Sequence, residues 1–524
     1  MRELLLEIYS EEIPALSQQE GAKQLLCLLQ KRLKGEFNED FSGKYFYTPR
    51  RIGVVIKALP TEILDKKTFE IRGPRVNAPY IATEGFKKKH SHMQGSLVQR
   101  DGYIYLKACA APLEERITNI IVNALSSLVW PKSMRWGEQT TKWIRPIHSI
   151  LCMLGDNILP VRFSMLEAGN KTEGNWLLNS NRLSVTSYND YRDKLRKEKV
   201  LICPQERKSL IKSSLSEILA MSDLKLILDH SLLDEVNNLV EFPFIGLGKI
   251  DQRFMSLPKE VLINTLRTHQ KYLMTQYKNG VIAPFFVIVS SVMTEDNLQS
   301  VISGNERVLQ ARLSDAEFFF REDIKTSLAS KTSLLREVKY HDKVGSYYDK
   351  IMMVKNIAVD IASQINVCST DILRASILIK SDLVTQMVHE QPDLQGIIGY
   401  YYALHDGENI NIAHAIRDHY LPQNPQDEVP TRPLSIVMAL ADKIVTLNSM
   451  FNAGIKPNGS KDPYALRRTA ISIIRIVCAN ALQLKLNHLL NSNVSEFLKE
   501  RLKNFSPCDN GLREEDIIYI ASIL

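Results

Sequence analysis

Apolar residues change their spacing along the chain, from runs typical of strands in the first part to helical stripes in the second. Short apolar runs over residues 3–9, 52–59, 151–164 and 285–292 predict strands, with amphipathic helices between them. From about Arg307 onward, apolar residues recur every three or four positions, which predicts helices. The pattern therefore predicts a multidomain α+β protein, with a mixed α/β N-terminal half and a mostly helical C-terminal half.

Several domains are expected, because the chain has 524 residues and a domain typically takes ~150. Breaks in the pattern suggest an N-terminal α+β domain over residues 1–180 and a second α+β region over 181–320. A helical domain over 321–455 and a helical segment over 456–524 would follow.

Composition is that of a soluble globular protein, with 44% hydrophobic and 24% charged residues. The net charge of +7 permits a nucleic-acid partner without requiring one. Seven scattered cysteines without a C-x-x-C spacing argue for a reducing compartment. Glu3 and Glu7 interrupt the first apolar run, which argues against a signal peptide, and no window reaches the ~18 uncharged apolar residues of a membrane span. We therefore expect a cytoplasmic protein without a membrane segment.

A turn near position 460 leads into a predicted helix that carries a cluster of cations. Asp462 before Pro463 predicts an N-cap with proline in the first turn. The buried stripe would be Leu466, Ala470, Ile473, Ile474 and Val477. Lys461, Arg467 and Arg468 surround the helix N-terminus, where the helix dipole disfavours cations unless an anion is shared. A phosphate group would resolve that conflict.

Further cationic residues lie at predicted turns and on predicted helix faces, where they are candidates for phosphate contact. They are Arg50, Arg51, Arg75, Lys132, Arg135, Arg145, Arg267, Lys271 and Arg307. Arg50 and Arg51 follow a proline turn, so both guanidiniums are expected at one end of a sheet; a solvated turn or a structural salt bridge is the alternative. Lys132, Arg135 and Arg145 are interleaved with tryptophans, which suits stacking with phosphate contact, although plain packing is the alternative.

Two predicted helices carry the last three of these cations. One apolar face would consist of Leu262, Leu266, His269 and Leu273. Arg267 and Lys271 are four residues apart, so they would share the other face. Asn305 is expected to cap a second helix just before Arg307. The core stripe of that helix would be Leu309, Leu313, Ala316 and Phe320. Helices that pack without touching RNA are the alternative.

The helical part contains an incomplete metal-binding pattern. HD-type phosphohydrolases bind metal through a histidine, an adjacent His–Asp pair and a later aspartate. The corresponding positions here are His341, Ser381, Asp382 and Asp442. Ser381 stands where an imidazole is needed, and carboxylates alone bind transition metals weakly. The pattern predicts a degenerate HD-like domain without metal, with a working phosphohydrolase as the alternative. The sequence also lacks the common nucleotide-binding and nucleophile motifs.

Taken together, the motifs resemble the β subunit of the bacterial two-subunit glycyl-tRNA synthetase. The matching stretches include Glu11-Glu12-Ile13-Pro14, Thr48-Pro49-Arg50-Arg51, Gly73-Pro74-Arg75, Pro131-Lys132-Ser133-Met134-Arg135-Trp136-Gly137, Arg145-Pro146-Ile147-His148, Val240-Glu241-Phe242-Pro243, Arg267-Thr268-His269-Gln270-Lys271-Tyr272, Gly304-Asn305-Glu306-Arg307 and Ser460-to-Arg468. So many motifs in order, over nearly the whole chain, make the resemblance specific.

The resemblance implies a division of labour between two subunits. In the family, the α subunit activates glycine with ATP and Mg²⁺, and the β subunit binds tRNA(Gly) and the α subunit in an α2β2 heterotetramer. It thus implies no complete catalytic site and no bound cofactor in this chain.

Two departures from the family pattern bear on function. Residues 174–177 read Gly-Asn-Trp-Leu where the family usually has Gly-His-Arg-Phe, which weakens an RNA role for that loop. The family continues into a helical anticodon-binding domain, most of which is expected to be missing from this sequence, since it stops at Leu524. A shortened RNA-binding or assembly protein that no longer supports aminoacylation is therefore the alternative.

Overall fold

The computed structural model describes residues 2–60, 68–89, 95–109, 112–138, 140–178, 181–292, 294, 297–459 and 461–503. Two compact units are found. Unit 1 comprises Met1–Lys249 and Lys271–Asn305, and unit 2 comprises Ile250–Gln270 and Glu306–Leu524. The division into four domains stays a prediction.

Unit 1 mixes helices with antiparallel sheets, as the apolar pattern predicted. Its elements are β1 Arg2–Ser10, α1 Ala15–Phe37, β2 Gly43–Thr48, β3 Arg51–Leu59, β4 Thr68–Arg75, α2 Tyr80–Lys89, β5 Gly95–Arg100, β6 Tyr103–Cys109, α3 Leu113–Ser126, β7 Ile147–Leu154, β8 Asn157–Ile158, β9 Arg162–Phe163, β10 Leu166–Glu167, β11 Lys171–Glu173, β12 Arg182–Ser184, α4 Tyr188–Lys197, α5 Pro204–Met221, β13 Leu224–Leu226, α6 His230–Asn237, β14 Phe244–Lys249, β15 Leu273–Tyr277 and β16 Ile282–Ser290. The larger sheets have the orders β2-β3-β1-β7-β8, β4-β6-β5 and β13-β15-β16-β14.

The five-stranded sheet is covered on both faces, which explains why β1 is buried at every position from Leu4 to Ser10. Leu4 and Leu6 belong to the core formed with α1 and α3. Leu5 belongs to a second core on the opposite face, which includes Tyr191 of α4. Because side chains alternate along a strand, Glu7 points to the same side as Leu5 and is completely buried there. A charged residue is therefore held between the sheet and α4.

Unit 2 is mostly helical. Its elements are α7 Lys259–Thr265, α8 Leu298–Asp323 (which begins in unit 1), α9 Leu328–Lys331, β17 Lys339–His341, β18 Gly345–Ser346, α10 Tyr347–Ile365, α11 Ser369–Leu378, α12 Gln386–Glu390, α13 Ile397–His405, α14 Ile410–Asp418, α15 Pro433–Asn452, α16 Leu466–Ala479 and α17 Ser492–Lys503, with 3-10 turns at Gln252–Ser256, Thr332–Arg336, Ser381–Val384 and Pro392–Leu394. Helix α15 packs against α10, α11, α14, α16 and α17 and forms the centre of the unit.

Helix α15 is the one described helix that is long and apolar enough to cross a membrane by length and composition alone. It is not an uncharged apolar run, because it contains Asp442 and Lys443. Its apolar window is 89% buried inside the unit, as in the core helix of a folded domain. The burial of α15 inside unit 2, rather than contact with lipid, therefore accounts for its apolar composition.

Two of the predicted helices have different boundaries. Helix α7 ends at Thr265 and a single π-helical turn, Leu266–Gln270, follows. The three-to-four-residue spacing therefore stops there, and His269 is exposed rather than part of an apolar face. Asn305 lies inside α8 instead of capping it, and its Nδ2 donates to the Val301 carbonyl at 2.7 Å.

Candidate nucleic-acid interface

The loop between α3 and β7 is fixed to the core by its tryptophans. Met134 and Trp143 exchange two backbone hydrogen bonds, at 2.8 and 3.1 Å. The Trp143 side chain is 1% exposed, and its ring lies 5.3 Å from Trp130 and 5.6 Å from Phe163. The contacts of Trp143 are therefore those of a packed core residue, and its indole has no free face on which a base could stack.

The cations of this loop differ in their surroundings. Lys132 and Arg135 are exposed and make no hydrogen bond or ion pair with any described residue. Arg145 is partly buried, and its Nε donates to the Glu12 carbonyl at 3.2 Å. Lys142, which is not among the predicted candidates, is also exposed and lines a cleft of about 460 Å³ beside Trp130. The loop therefore presents cations on a backbone that the core holds in place.

Arg51 is the centre of a buried ion cluster rather than a cation presented at a sheet end. Its side chain is fully buried; Nε lies 3.3 Å from Glu7 Oε2, and Nη1 forms an ion pair with Glu241. Nη2 donates to the carbonyls of Glu173 and Gly174. Burial by itself would lower the pKa of Arg51, but the two carboxylates raise it above its usual range. This arrangement corresponds to the structural salt bridge, the alternative to phosphate contact.

Arg50 is also occupied by protein partners. It is 7% exposed, and its guanidinium carbon lies 5.2 Å from the Tyr9 ring centroid and 4.8 Å from that of Trp176. Glu11 Oε2 lies 3.3 Å from Arg50 Nη2. The hydrogen bond from His148, together with Arg50, holds the pKa of Glu11 below its usual value. Trp176, which stands where the family usually has arginine, thus packs against Arg50.

The remaining cations of the predicted set are dispersed over both units. Arg75 ends β4, and its Nε donates to Tyr103 Oη at 3.1 Å. Lys271 forms a 3.0 Å ion pair with Glu235. Arg267 is exposed on the π-helical turn, and Arg307 is exposed on α8. Because the α-helix ends before Arg267, the four-residue spacing to Lys271 does not place the two on one helical face.

The helix start near position 460 already contains an anion. Helix α16 begins at Leu466, so Asp462 is not the residue next to the helix and Pro463 lies outside it. The Asp462 carboxylate nevertheless accepts the backbone N–H groups of Leu466 and Arg467, both at 2.9 Å. It therefore meets the need for negative charge that the helix dipole creates. The predicted stripe on α16 is buried at all five positions.

The cations around this helix start remain available, because the carboxylate binds backbone groups. Lys461 and Arg468 are exposed and Arg467 is half-buried. The side chains of these three residues make no hydrogen bond or ion pair with any described residue. Ser460 lies outside the described residues.

Lysines surround the aspartate at the last HD position. Asp442 Oδ1 lies 2.9 Å from Lys350 Nζ and 3.5 Å from Lys380 Nζ, and all three side chains are buried. Burial by itself would raise the pKa of Asp442, but the two ammonium groups hold it well below its usual range. Burial lowers the pKa of Lys380 to about 7 and that of Lys443 to about 8. Amines therefore neutralise the carboxylate that would otherwise ligate a metal.

The other HD positions have structural partners as well. Asp382 Oδ2 accepts the backbone N–H groups of Gly396 and Gly399 at the start of α13, and burial raises the pKa of Asp382 to about 6. Ser381 Oγ lies 2.8 Å from Thr332 Oγ1. His341 Nδ1 accepts the Lys343 backbone N–H at 3.2 Å. The described residues contain no group of three or more His, Cys, Asp or Glu side chains that could hold a metal.

Comparison with known proteins identifies the class and then the family. The chain matches the glycyl-tRNA synthetase beta subunit family over residues 4–517, which makes it a subunit of an aminoacyl-tRNA synthetase, a ligase. It belongs to the glycyl-tRNA synthetase β-subunit family. Membership implies an α subunit and tRNA as partners and a complex that uses ATP.

Curated relatives carry the same name. The chain is 42% identical over 502 residues to the glycine–tRNA ligase beta subunit of Rickettsia conorii (strain ATCC VR-613 / Malish 7), covering 94% of this chain and 74% of that protein. It is 41% identical over 524 residues to the corresponding subunit of Rickettsia canadensis (strain McKiel), covering 96% and 77%. These alignments span both units.

Proposed function

We propose that the chain works in a cytoplasmic α2β2 glycyl-tRNA synthetase, where it binds tRNA(Gly) and the α subunit. The α subunit would activate glycine with ATP and Mg²⁺, and this chain would bind neither. The observation that carries the proposal is the loop between α3 and β7. Lys132 and Arg135 have no protein partner among the described residues, and the buried Trp143 fixes their backbone, so a phosphate ligand would meet cations already in position.

We further propose that unit 2 contains an HD-like helical domain that has lost its metal chemistry. Support comes from Asp442, whose buried partners are Lys350 and Lys380, and from Asp382, which accepts backbone N–H groups. A buried ammonium next to a carboxylate opposes the binding of a divalent cation there. Metal-stimulated phosphatase activity of the purified chain would instead favour the alternative, a working phosphohydrolase.

The division of labour predicts an all-or-none result in aminoacylation. The chain mixed with its α subunit should charge tRNA(Gly), whereas neither subunit should do so alone, because the proposed sites lie on different chains. The measurement is the attachment of labelled glycine to tRNA(Gly) by each purified subunit and by the mixture. Charging by this chain alone would refute the proposal. No charging by the mixture, with tRNA still bound, would favour an RNA-binding or assembly protein that does not support aminoacylation.

The exposed cations predict a change in the salt dependence of tRNA binding. The variants Lys132→Ala/Arg135→Ala and Arg467→Ala/Arg468→Ala should each weaken binding. Each should also flatten the plot of log affinity against log salt by about one unit for every phosphate that the protein no longer neutralises, because fewer counterions are released. Filter binding at several salt concentrations measures the slope.

A matched control removes the same charge elsewhere in unit 1. Lys23 on α1 and Lys212 on α5 are exposed, and Lys23→Ala/Lys212→Ala should leave the slope close to that of the wild type. An unchanged slope in the Lys132/Arg135 variant would mean that these two residues are solvated surface cations that do not contact tRNA.

A further inference from the structure

The small sheet β4-β6-β5 has one outward face that combines tyrosine and arginine side chains. Along β6, Ile104 and Leu106 are buried at 7% and 6% exposure, so Tyr103, Tyr105 and Lys107 point to the opposite face. That face is partly or fully exposed along β6, and every residue of β5 is exposed. We call it the tyrosine face; it comprises Arg72, Arg75, Arg100, Tyr103, Tyr105 and Lys107.

The arginines of the tyrosine face lie against its aromatic rings. The Arg72 guanidinium carbon is 3.6 Å from the Tyr103 ring centroid, and that of Arg75 is 5.6 Å from it. The guanidinium carbon of Arg100 is 5.2 Å from the Tyr105 centroid. Stacking of this kind orients a planar guanidinium and leaves its N–H edge free to bind another group. The face therefore presents flat cationic and aromatic surfaces side by side.

Charge on the tyrosine face is positive after its ion pairs are counted. Glu70 Oε2 lies 3.3 Å from Arg100 Nη1, and Asp101 Oδ2 lies 3.3 Å from Arg100 Nε. Arg72 and Arg75 have no carboxylate partner among the described residues. Next to Arg75, an open cleft of about 690 Å³ is lined by the Asp101–Tyr103 turn and residues 76–78. An anionic ligand of nucleotide size would thus find room beside Arg75, which has no carboxylate partner among the described residues.

We propose that the tyrosine face binds unpaired RNA nucleotides, with bases stacked on Tyr105 and on the Arg72–Tyr103 pair and with phosphate at Arg75 and Lys107. Bases that are not in a duplex stack on aromatic side chains and on guanidinium planes, and sheets with exposed aromatic residues bind single-stranded RNA in this way. The choice of RNA as ligand rests on the proposed tRNA-binding function. A protein partner is less favoured, because cations outnumber the exposed apolar side chains of these strands, Leu97 and Val98.

Binding of a short oligonucleotide to the full chain tests the proposal directly. The probe is a fluorescently labelled single-stranded oligoribonucleotide of about 12 nucleotides, followed by anisotropy. Tyr105→Ala and Arg72→Gln should each weaken its binding about tenfold, as expected when one base no longer has a surface on which to stack. Tyr105→Phe, which keeps the ring, should bind like the wild type. Tyr277→Ala is the control, because Tyr277 is a 38% exposed tyrosine on another sheet of unit 1.

The possible outcomes separate this site from the function of the chain. Equal binding by the wild type, Tyr105→Ala and Arg72→Gln would overturn the tyrosine face as an RNA site, and so would no binding by the wild type. Normal oligonucleotide binding by these variants, with α-subunit association abolished, would make the face a protein interface instead. In each of these cases, charging of tRNA(Gly) by the wild-type chain with the α subunit would leave the proposed function standing.

Discussion

Replacing Arg51 with methionine is expected to lower the free energy of unfolding of unit 1 by about 3–5 kcal/mol, as when one partner of a buried ion pair is removed. Methionine keeps much of the length of the side chain but leaves Glu7 and Glu241 buried without a cation. Burial already raises the pKa of Glu7, against the opposing effect of Arg51. Without Arg51, the carboxylates must take up protons or draw water into the core, and either response costs stability.

The fluorescence of unit 1 makes this change measurable in the full chain. All four tryptophans lie in unit 1, so their emission during urea unfolding reports on that unit alone. Arg162→Met is the matched control, because Arg162 is exposed and its 3.3 Å pair with Glu167 is a surface salt bridge worth about 1 kcal/mol or less. If Arg51→Met costs no more than Arg162→Met, the buried cluster does not stabilise the unit as described. Adding Glu241→Gln to Arg51→Met should recover part of the stability, because it removes one of the unpaired charges.

Sequence patterns predicted those features whose cause is local. The mixed α/β first part and the buried stripe of α16 were correct, because both follow from the spacing of apolar residues within one element. The helix expected through Leu273 was wrong, because a π-helical turn changes the spacing without any proline or glycine to signal it. Asn305 was misplaced because capping residues are also tolerated inside a helix, where α8 places it.

Features that depend on distant residues could not be predicted from the sequence. For Arg51, after a proline turn, the sequence left phosphate contact and a structural salt bridge as alternatives, because its partner Glu241 lies 190 residues away. The same holds for Asp442, whose neutralising amines come from α10 and from the turn after α11. The tyrosine face needed the pairing of three strands before its arginines and rings could be placed together. The positions of basic residues in the sequence therefore do not distinguish an RNA-binding surface from a buried ion pair.

The free energy of unfolding of unit 2 should rise with pH above neutrality because of Lys380. A lysine in an unfolded chain has a pKa of about 10.4, whereas burial lowers that of Lys380 to about 7. Between these values the unfolded chain binds a proton that the folded chain does not, so raising the pH favours the folded state. The free energy of unfolding should increase by up to about 1.4 kcal/mol per pH unit from this residue. Below pH 7 Lys380 is protonated in both states, and its contribution is flat.

Lys380→Met isolates that contribution, because methionine fills similar space without a titrating group, and Asp442 keeps Lys350 as its partner at 2.9 Å. Urea unfolding followed by circular dichroism between about pH 7 and 9 should give a flatter dependence for the variant than for the wild type. Some slope should remain above pH 8, since burial also lowers the pKa of Lys443. Lys499→Met, at an exposed lysine of α17, should keep the wild-type slope. Equal slopes in wild type and Lys380→Met would mean that Lys380 stays charged in the folded protein, stabilised by Asp442 as fully as Lys350 is.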